Sequence, residues 1–129
     1  MRLRSDVWVA ALVRRAFVGG AHAGIVHHGA DEAGAIFVAV DRLDGANDLW
    51  GPAPQSDFGE TDGDDRRFER LAARVPRDEI RARIASERRF DGDLWLVEVE
   101  DKAGRHFIEP PPADPDAPPR FVPDWPPKL

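Results

Sequence analysis

The placement of proline limits most strongly what this chain can fold into. Of the 12 prolines in 129 residues, nine lie in the last 20. Each proline fixes the backbone φ angle and removes a hydrogen-bond donor, so this stretch cannot form a helix or a central strand. We therefore predict one folded domain over residues 1–109 and a proline-rich tail over residues 110–129, with irregular or polyproline II structure.

Charge is distributed just as unevenly. The formal net charge is −6, but residues 57–65 carry five acids and no base, whereas residues 66–89 carry nine arginines and four acids. The acidic balance argues against a dedicated DNA-wrapping protein, whose surface should be basic. With no cysteine in the sequence, disulfide scaffolds, cysteine-ligated metal sites and thiol catalysis are excluded.

The N-terminal segment imitates a secretory signal in part. An apolar run at residues 7–13 follows two arginines, and an Ala-x-Ala triplet occupies residues 21–23. However, Asp6 precedes the run, and Arg14 and Arg15 interrupt it before the triplet. No run reaches the ~18 apolar residues of a membrane-spanning helix. We expect a cytoplasmic protein that does not enter a membrane.

Two segments have the periodicity of an amphipathic helix. Apolar residues recur at helical spacing over residues 9–17, with Ser5 as a candidate N-cap and the glycines at 19–20 as a stop signal. A second helix is predicted after Pro76, where two acids suit the first turn and two isoleucines form a narrow apolar stripe among arginines.

The remaining apolar segments read as strands. They occupy residues 23–28, 35–40, 49–50, 94–101 and 106–108. Residues 66–73 fit either helical spacing or a short strand. The order α-β-β-β-β-α-β-β predicts an α+β domain: a mainly antiparallel sheet of five to six strands with two helices.

Catalytic motifs are missing from the sequence. It contains no Gly-rich nucleotide-binding loop, no HExxH zinc motif and no GxSxG nucleophile turn. None of its three serines has a histidine nearby in sequence. We therefore name no catalytic residue and expect no cofactor.

A histidine cluster offers the sharpest alternative, a small metal-binding protein or enzyme. His22, His27 and His28, with Asp31 and Glu32, are residue types that can bind a divalent metal. Strand alternation places His27 on the face opposite the other two histidines. The competing interpretation is a set of exposed histidines beside a polar turn.

Two acidic motifs are weaker candidates for a functional site. The DGDD run at residues 62–65 lacks the ligand spacing of a calcium-binding loop. Asp91 and Asp93 flank Gly92 ahead of a strand and could form a carboxylate pair, but aspartates in turns serve equally well to bond their own backbone.

The arginine-rich second helix is a candidate interaction surface. Arg81, Arg88 and Arg89, with Arg14 and Arg15, could contact an acidic protein partner or the phosphates of RNA. The alternative is a solvated helix face with weak ion pairs, next to an acidic segment that screens it.

The tail is a second candidate interaction surface, because it carries large apolar side chains that a solvated linker does not need. We predict that Phe121 and Trp125 dock on this domain, on a second copy of the chain or on a protein partner. The alternative is an exposed flexible extension.

Three segments resemble a family of small alphaproteobacterial proteins described only as a domain of unknown function. They are MRLRSDVWVAALVRRA, AGAIFVAV-x-RLDG and RRFDGDLWLVEVEDKAGRHFI. Relatives commonly have proline where Gly92 stands, and their counterpart of residues 66–73 looks strand-like, which favours a strand there. The acidic loop and the tail lie outside the shared pattern. The family implies no activity and no site residues.

These observations lead to three functional hypotheses. The first is a non-catalytic cytoplasmic interaction or regulatory module that contacts a protein partner, or itself, through the arginine helix and the tail. The second is a metal-binding protein or enzyme that uses the histidine region. The third is RNA binding through the arginine helix, which the net charge disfavours.

Overall fold

The segments with helical and strand periodicity form two helices and five strands. The structure, a computed structural model, describes residues 3–54 and 66–116. In chain order the elements are α1 (Ser5–Val18), β1 (His22–His27), β2 (Ile36–Asp41), β3 (Asn47–Pro52), β4 (Phe68–Val75), α2 (Arg77–Phe90) and β5 (Trp95–Glu100). The α+β class and both helices are confirmed.

The sheet is mixed, and the last strand in the chain lies near its centre. The strand order is β1-β5-β2-β3-β4. Three of the four pairings are antiparallel, and β2 with β5 is the one parallel pair. Strand β5 carries apolar side chains on both faces, as a strand covered on both sides requires. The sheet is thus mainly antiparallel, as expected, around one parallel crossover.

Alternation along β2 divides the core between the two faces of the sheet. Ile36, Val38 and Val40 pack with α1 on one face, called the α1 face below. Phe37 and Ala39 pack with α2 on the other, the α2 face. Both faces of the central strands are therefore buried by a helix or by neighbouring chain.

The ambiguous stretch after residue 66 is strand β4, which pairs with β3. Its pairing shifts register between Arg70 and Ala72, so alternation fails there. Leu71 and Ala72 are consecutive, yet both pack on the α2 face. Phe68 faces Trp8 on the α1 face, with ring centroids 5.1 Å apart. The irregular register gives this strand an apolar spacing that matches a helix.

The expected sixth strand at residues 106–108 does not form, which corrects the last element of the predicted order. Phe107 has a left-handed backbone conformation, with a φ of 61°, and the segment pairs with no strand in the described part of the chain. Instead, Nδ1 of His106 accepts a hydrogen bond from the Ile108 backbone N–H at 3.0 Å. Arg15 of α1 donates to the Phe107 carbonyl oxygen at 3.0 Å.

Residues 101–116, the C-terminal segment, cover the part of the α1 face that α1 leaves open. Ile108 is buried in the α1-face core. The segment is fixed at its start by Arg105, which binds both carboxylate oxygens of Asp101 and the Gly19 carbonyl oxygen. The first residues of the predicted tail therefore belong to the surface of the domain, whereas Phe121 and Trp125 lie outside the described residues.

The loop between β1 and β2 ties the start of α1 to the start of β5. Ser5 is not the N-cap expected from the sequence: it is the first residue of α1, and its buried hydroxyl donates to the Gly34 carbonyl oxygen at 2.7 Å. The Trp95 indole N–H donates to the Ala30 carbonyl oxygen at 2.8 Å. In the described segments, neither helix is long and apolar enough to cross a membrane.

Gly34→Ala is predicted to destabilise the fold by about 1–3 kcal/mol, because a methyl group there overlaps the Asp93 carbonyl oxygen and the edge of Trp95. Gly24 on β1 is the matched control, since a methyl group at Gly24 meets nothing within 4 Å. Gly24→Ala should stay within about 0.5 kcal/mol of the parent. Urea unfolding measures both; equal effects would contradict the described close approach.

A second prediction concerns pH. Burial lowers the pKa of His106 in the folded state. On acidification, the His106 imidazole is therefore protonated in the unfolded chain, from about pH 6.5 downward, before it is protonated in the folded chain. The free energy of unfolding should therefore fall as pH is lowered from about 7 to 5. His106→Asn keeps an acceptor for the Ile108 N–H without a titrating group, and should reduce this fall. Equal pH dependence in both proteins, measured by urea unfolding, would contradict the prediction.

Candidate functional site

Helix α2 covers only part of its sheet face and leaves a groove beside it. The helix contacts β3 and β4, whereas α1 contacts β1 and β5 on the other face. On the α2 face, β5 and the edge strand β1 are therefore left partly open. The opening, called the α2 groove, has a volume of about 310 Å³. It runs between the helix and these two strands.

The floor of the α2 groove is apolar. Ala39 and Leu96 supply it from the sheet, and Ile80 and Ile84 supply it from the helix. All four side chains belong to the α2-face core. Val26 of β1 closes the far side and is 50% exposed. The groove therefore offers apolar surface that solvent reaches.

Three arginines of α2 line the same groove: Arg77, Arg81 and Arg88. They follow the helical spacing i, i+4 and i+11, which places them along one side of the helix. Arg77 is engaged, since its guanidinium lies 2.8 Å from Glu98 on β5 and 3.8 Å from Asp41.

Arg81 and Arg88 are different, because neither forms an ion pair with any residue in the described ranges. Both are exposed. His27 of β1 faces them across the groove. Burial lowers the pKa of His27, and the positive charge of Arg88 lowers it further. The groove thus combines an apolar floor with two cationic groups that have no carboxylate partner among the described residues.

The structure separates the other sequence-predicted arginines from this groove. Arg89 is exposed but does not line it. On α1, Arg14 is exposed, and Arg15 donates a hydrogen bond to the Phe107 carbonyl oxygen. Of the five arginines considered from the sequence, only two share the groove.

The histidines do not gather into a metal centre. His22 packs edge-on against Phe17, with ring centroids 5.4 Å apart, whereas His28 lies 4.1 Å from the Trp95 ring and 3.0 Å from Asp31. His27 points to the α2 groove. Within residues 3–54 and 66–116, no three potential ligands converge on a metal position.

The aspartates around Gly92 form a turn. The Asp93 backbone N–H donates to Oδ1 of Asp91 at 2.9 Å, which is the local bonding typical of aspartate in turns. This turn leads directly into β5. The acidic run at residues 62–65 lies outside the described residues.

A second opening lies on the α1 face, under the C-terminal segment. The sequence did not predict it. This C-terminal cleft has a volume of about 430 Å³. Its walls are strands β3 and β4 on one side and residues 103–116 on the other. Its lining includes Trp50, Arg70, His106 and Asp116.

Sequence reasoning missed this cleft because its key contact joins distant parts of the chain. Arg70 of β4 binds both carboxylate oxygens of Asp116, at 2.6 and 2.9 Å. This contact lowers the pKa of Asp116. A second ion pair, which is largely buried, supports the same region, since Arg42 binds the fully buried Asp48 at 2.6 Å. No local pattern links residues 46 positions apart.

Comparison with known proteins identifies the family. The family model described as "Protein of unknown function (DUF1491)" matches residues 3–109, and no curated protein matches the chain. Solved structures are also similar to this chain. The solution structure of protein Atu0922 from A. tumefaciens is 44% identical, with a TM-score of 0.75, and the match covers 88% of this chain and all of that one.

Two further similar structures come from Caulobacter crescentus CB15, and both are of a DUF1491 family protein. The crystal structure is 36% identical and the NMR structure 37%; both have a TM-score of 0.73. Each match covers 88% of this chain, and 100% and 99% of the respective relative. The matched sequence and the shared fold together show that this chain belongs to the DUF1491 family of proteins of unknown function.

Proposed function

We propose that the chain is a non-catalytic interaction module whose α2 groove binds an acidic segment of a protein partner. The observation that carries this proposal is the pair Arg81 and Arg88, which have no ion-pair partner in the described chain and stand above an apolar floor. Guanidinium groups bind carboxylates in a bidentate geometry, and their attraction is stronger beside apolar surface than in open water.

The shape of the groove favours a peptide over a small molecule. Arg77 and Arg88 are eleven residues apart on α2, which corresponds to about 16 Å along the helix axis. That length matches roughly five residues of extended peptide at ~3.3 Å per residue. A partner with alternating acidic and apolar side chains would place carboxylates on the arginines and apolar groups on the floor.

The charge of α2 disfavours the RNA alternative. The helix carries Asp78, Glu79 and Glu87 among its five arginines, and Arg83 is paired with Glu87 at 3.0 Å. Arg77 is neutralised by β5. Of the remaining three arginines, only Arg81 and Arg88 line the groove, whereas phosphate-backbone binding uses several cations at once.

The metal-binding alternative has no geometric support in the described residues, since the three histidines take separate partners. A cytoplasmic location remains part of the proposal. It is supported by α1, because the apolar run that imitates a signal peptide contributes Trp8, Val9 and Leu12 to the folded core.

Removal of Arg81 and Arg88, the two groove arginines without an ion pair in the described residues, is predicted to weaken binding of an acidic-apolar peptide by about tenfold or more, because two charge-assisted contacts are lost. The probe is a fluorescein-labelled peptide of eight residues that alternates glutamate and leucine, followed by fluorescence polarisation. The test protein is Arg81→Gln/Arg88→Gln. The matched control is Arg14→Gln/Arg89→Gln, which removes the same charge from exposed positions outside the groove.

The control should bind the peptide as the parent does, and a lysine-leucine peptide of the same length should not bind. Equal losses in the two double variants would contradict the groove as the site. Salt-sensitive binding of a single-stranded RNA in preference to the peptide would instead support the RNA hypothesis.

A further inference from the structure

Strand β1 forms one edge of the sheet, and one of its two sides pairs with no other strand of the described chain. Its strand neighbour there is β5. The pairing with β5 is regular from His22 to Ile25, and the register shift comes only at the end of the strand. The backbone N–H and C=O groups that point away from β5 form a template on which another strand can pair.

The two edge strands of the sheet differ in how they are protected from such pairing. Natural sheets protect their edges with charged side chains, prolines and bulges. The opposite edge strand, β4, carries Glu69, Arg70 and Arg74 and has an irregular register. Strand β1 has the sequence HAGIVH, without acid, lysine, arginine or proline. Because histidine is largely neutral above pH 7, β1 is then an uncharged edge.

Exposed apolar side chains lie at this edge on both faces of the sheet. Ile25 is 47% exposed and shares the α1 face with its cross-strand partner Val97. Val26, also half exposed, lines the α2 groove on the opposite face. Beside them on α1, Phe17 is 51% exposed and contacts the His22 ring. Strand β1 thus has apolar side chains on both faces, as an inner strand does, although it lies at an edge.

We propose that β1 pairs with β1 of a second copy of the chain and that the protein forms a two-fold symmetric dimer. Antiparallel pairing about an axis at Gly24 places Ala23 of each copy opposite Ile25 of the other, both on the α1 face. Gly24 leaves room at the axis, since a methyl group there would meet nothing within 4 Å. The two sheets then join into one continuous sheet, and the same surface serves both copies.

Symmetry favours a second copy over an unrelated extended peptide. The two-fold axis is perpendicular to the sheet, so the α1 faces of both copies lie on the same side. Helix α1 packs against β1, and its exposed Phe17 therefore comes close to α1 of the second copy. Each copy supplies the apolar side chains that cover the edge of the other. The contact uses the six residues of β1 and a few side chains of α1. A standard interface uses ~20–30 residues per side, so we expect a weak dimer.

The dimer also brings the two α2 grooves together. Strand β1 bounds the groove on the side away from α2, through Val26 and His27. In the dimer, β1 of the second copy extends this side, so the two grooves lie next to each other on one face of the joined sheet. The dimer itself does not depend on the function proposed for the groove.

Sedimentation velocity of the full chain at about pH 8, where histidine is neutral, measures the association. We expect a reversible dimer with a dissociation constant on the order of 10–100 µM, as for a small interface. Ile25→Lys and Val26→Lys each place a charge at the pairing edge, twice per dimer, and should raise this constant about tenfold or more. Leu43→Lys is the matched control, because Leu43 is 53% exposed and lies in the β2–β3 turn, two strands away from β1. It should dimerise like the parent.

Hydrogen exchange locates the contact. Alternate N–H groups of β1 point away from β5, and they should exchange more slowly in concentrated than in dilute parent protein. Ile25→Lys should lose this concentration dependence, with its fold verified by circular dichroism. The proposal is overturned if the parent stays monomeric up to about 500 µM. It is also overturned if both β1 variants dimerise as well as Leu43→Lys, or if a dimer forms without added protection of the β1 amides.

Discussion

The pairing of strand β5 with its two neighbours holds the rest of the structure together. This strand pairs with β1 on one side and with β2 on the other, so it alone joins β1 to the sheet. Its side chains Trp95, Val97 and Val99 lie in the core under α1, and Leu96 lies in the core under α2. Removing β5 would therefore separate the sheet and open both cores at once.

The two openings follow from the way in which two helices cover a five-stranded sheet. Each helix makes most of its sheet contacts with one half of its own face, α1 with β1 and β5, and α2 with β3 and β4. The uncovered half of the α1 face receives the C-terminal segment, and this leaves a cleft lined by Trp50 and Arg70. The uncovered half of the α2 face is the α2 groove. Each opening thus lies where a helix or the C-terminal segment does not cover the sheet completely.

Local periodicity was enough to predict most elements, because a helix or strand that buries one face must repeat its apolar residues accordingly. It could not place β5 between β1 and β2, since strand order depends on contacts between distant segments. It also assigned a strand to residues 106–108, where apolar side chains are buried by an irregular segment with a left-handed residue at Phe107. The register shift in β4 explains why residues 66–73 matched two patterns.

The candidate sites were predictable to different degrees. Arg81 and Arg88 could be named from the sequence because helical spacing puts them on one side of α2. Arg89, next to Arg88, could not be set apart without knowing where the sheet lies. Arg70 and Asp116 are 46 residues apart, so their ion pair is visible only once the fold is known. No property of these residues alone signals a cleft.

The central position of β5 also has a consequence for synthesis of the chain on the ribosome. Strand β1 ends at His27, yet its partner is complete only at Glu100. At ~5–20 residues per second, the intervening chain takes roughly 4–15 s to make. During that interval the apolar residues of β1 and β2 have no β5 to pair with. The domain therefore cannot close its sheet progressively during translation: β2 can pair with β3 early, but β1 has no strand partner until β5 is made.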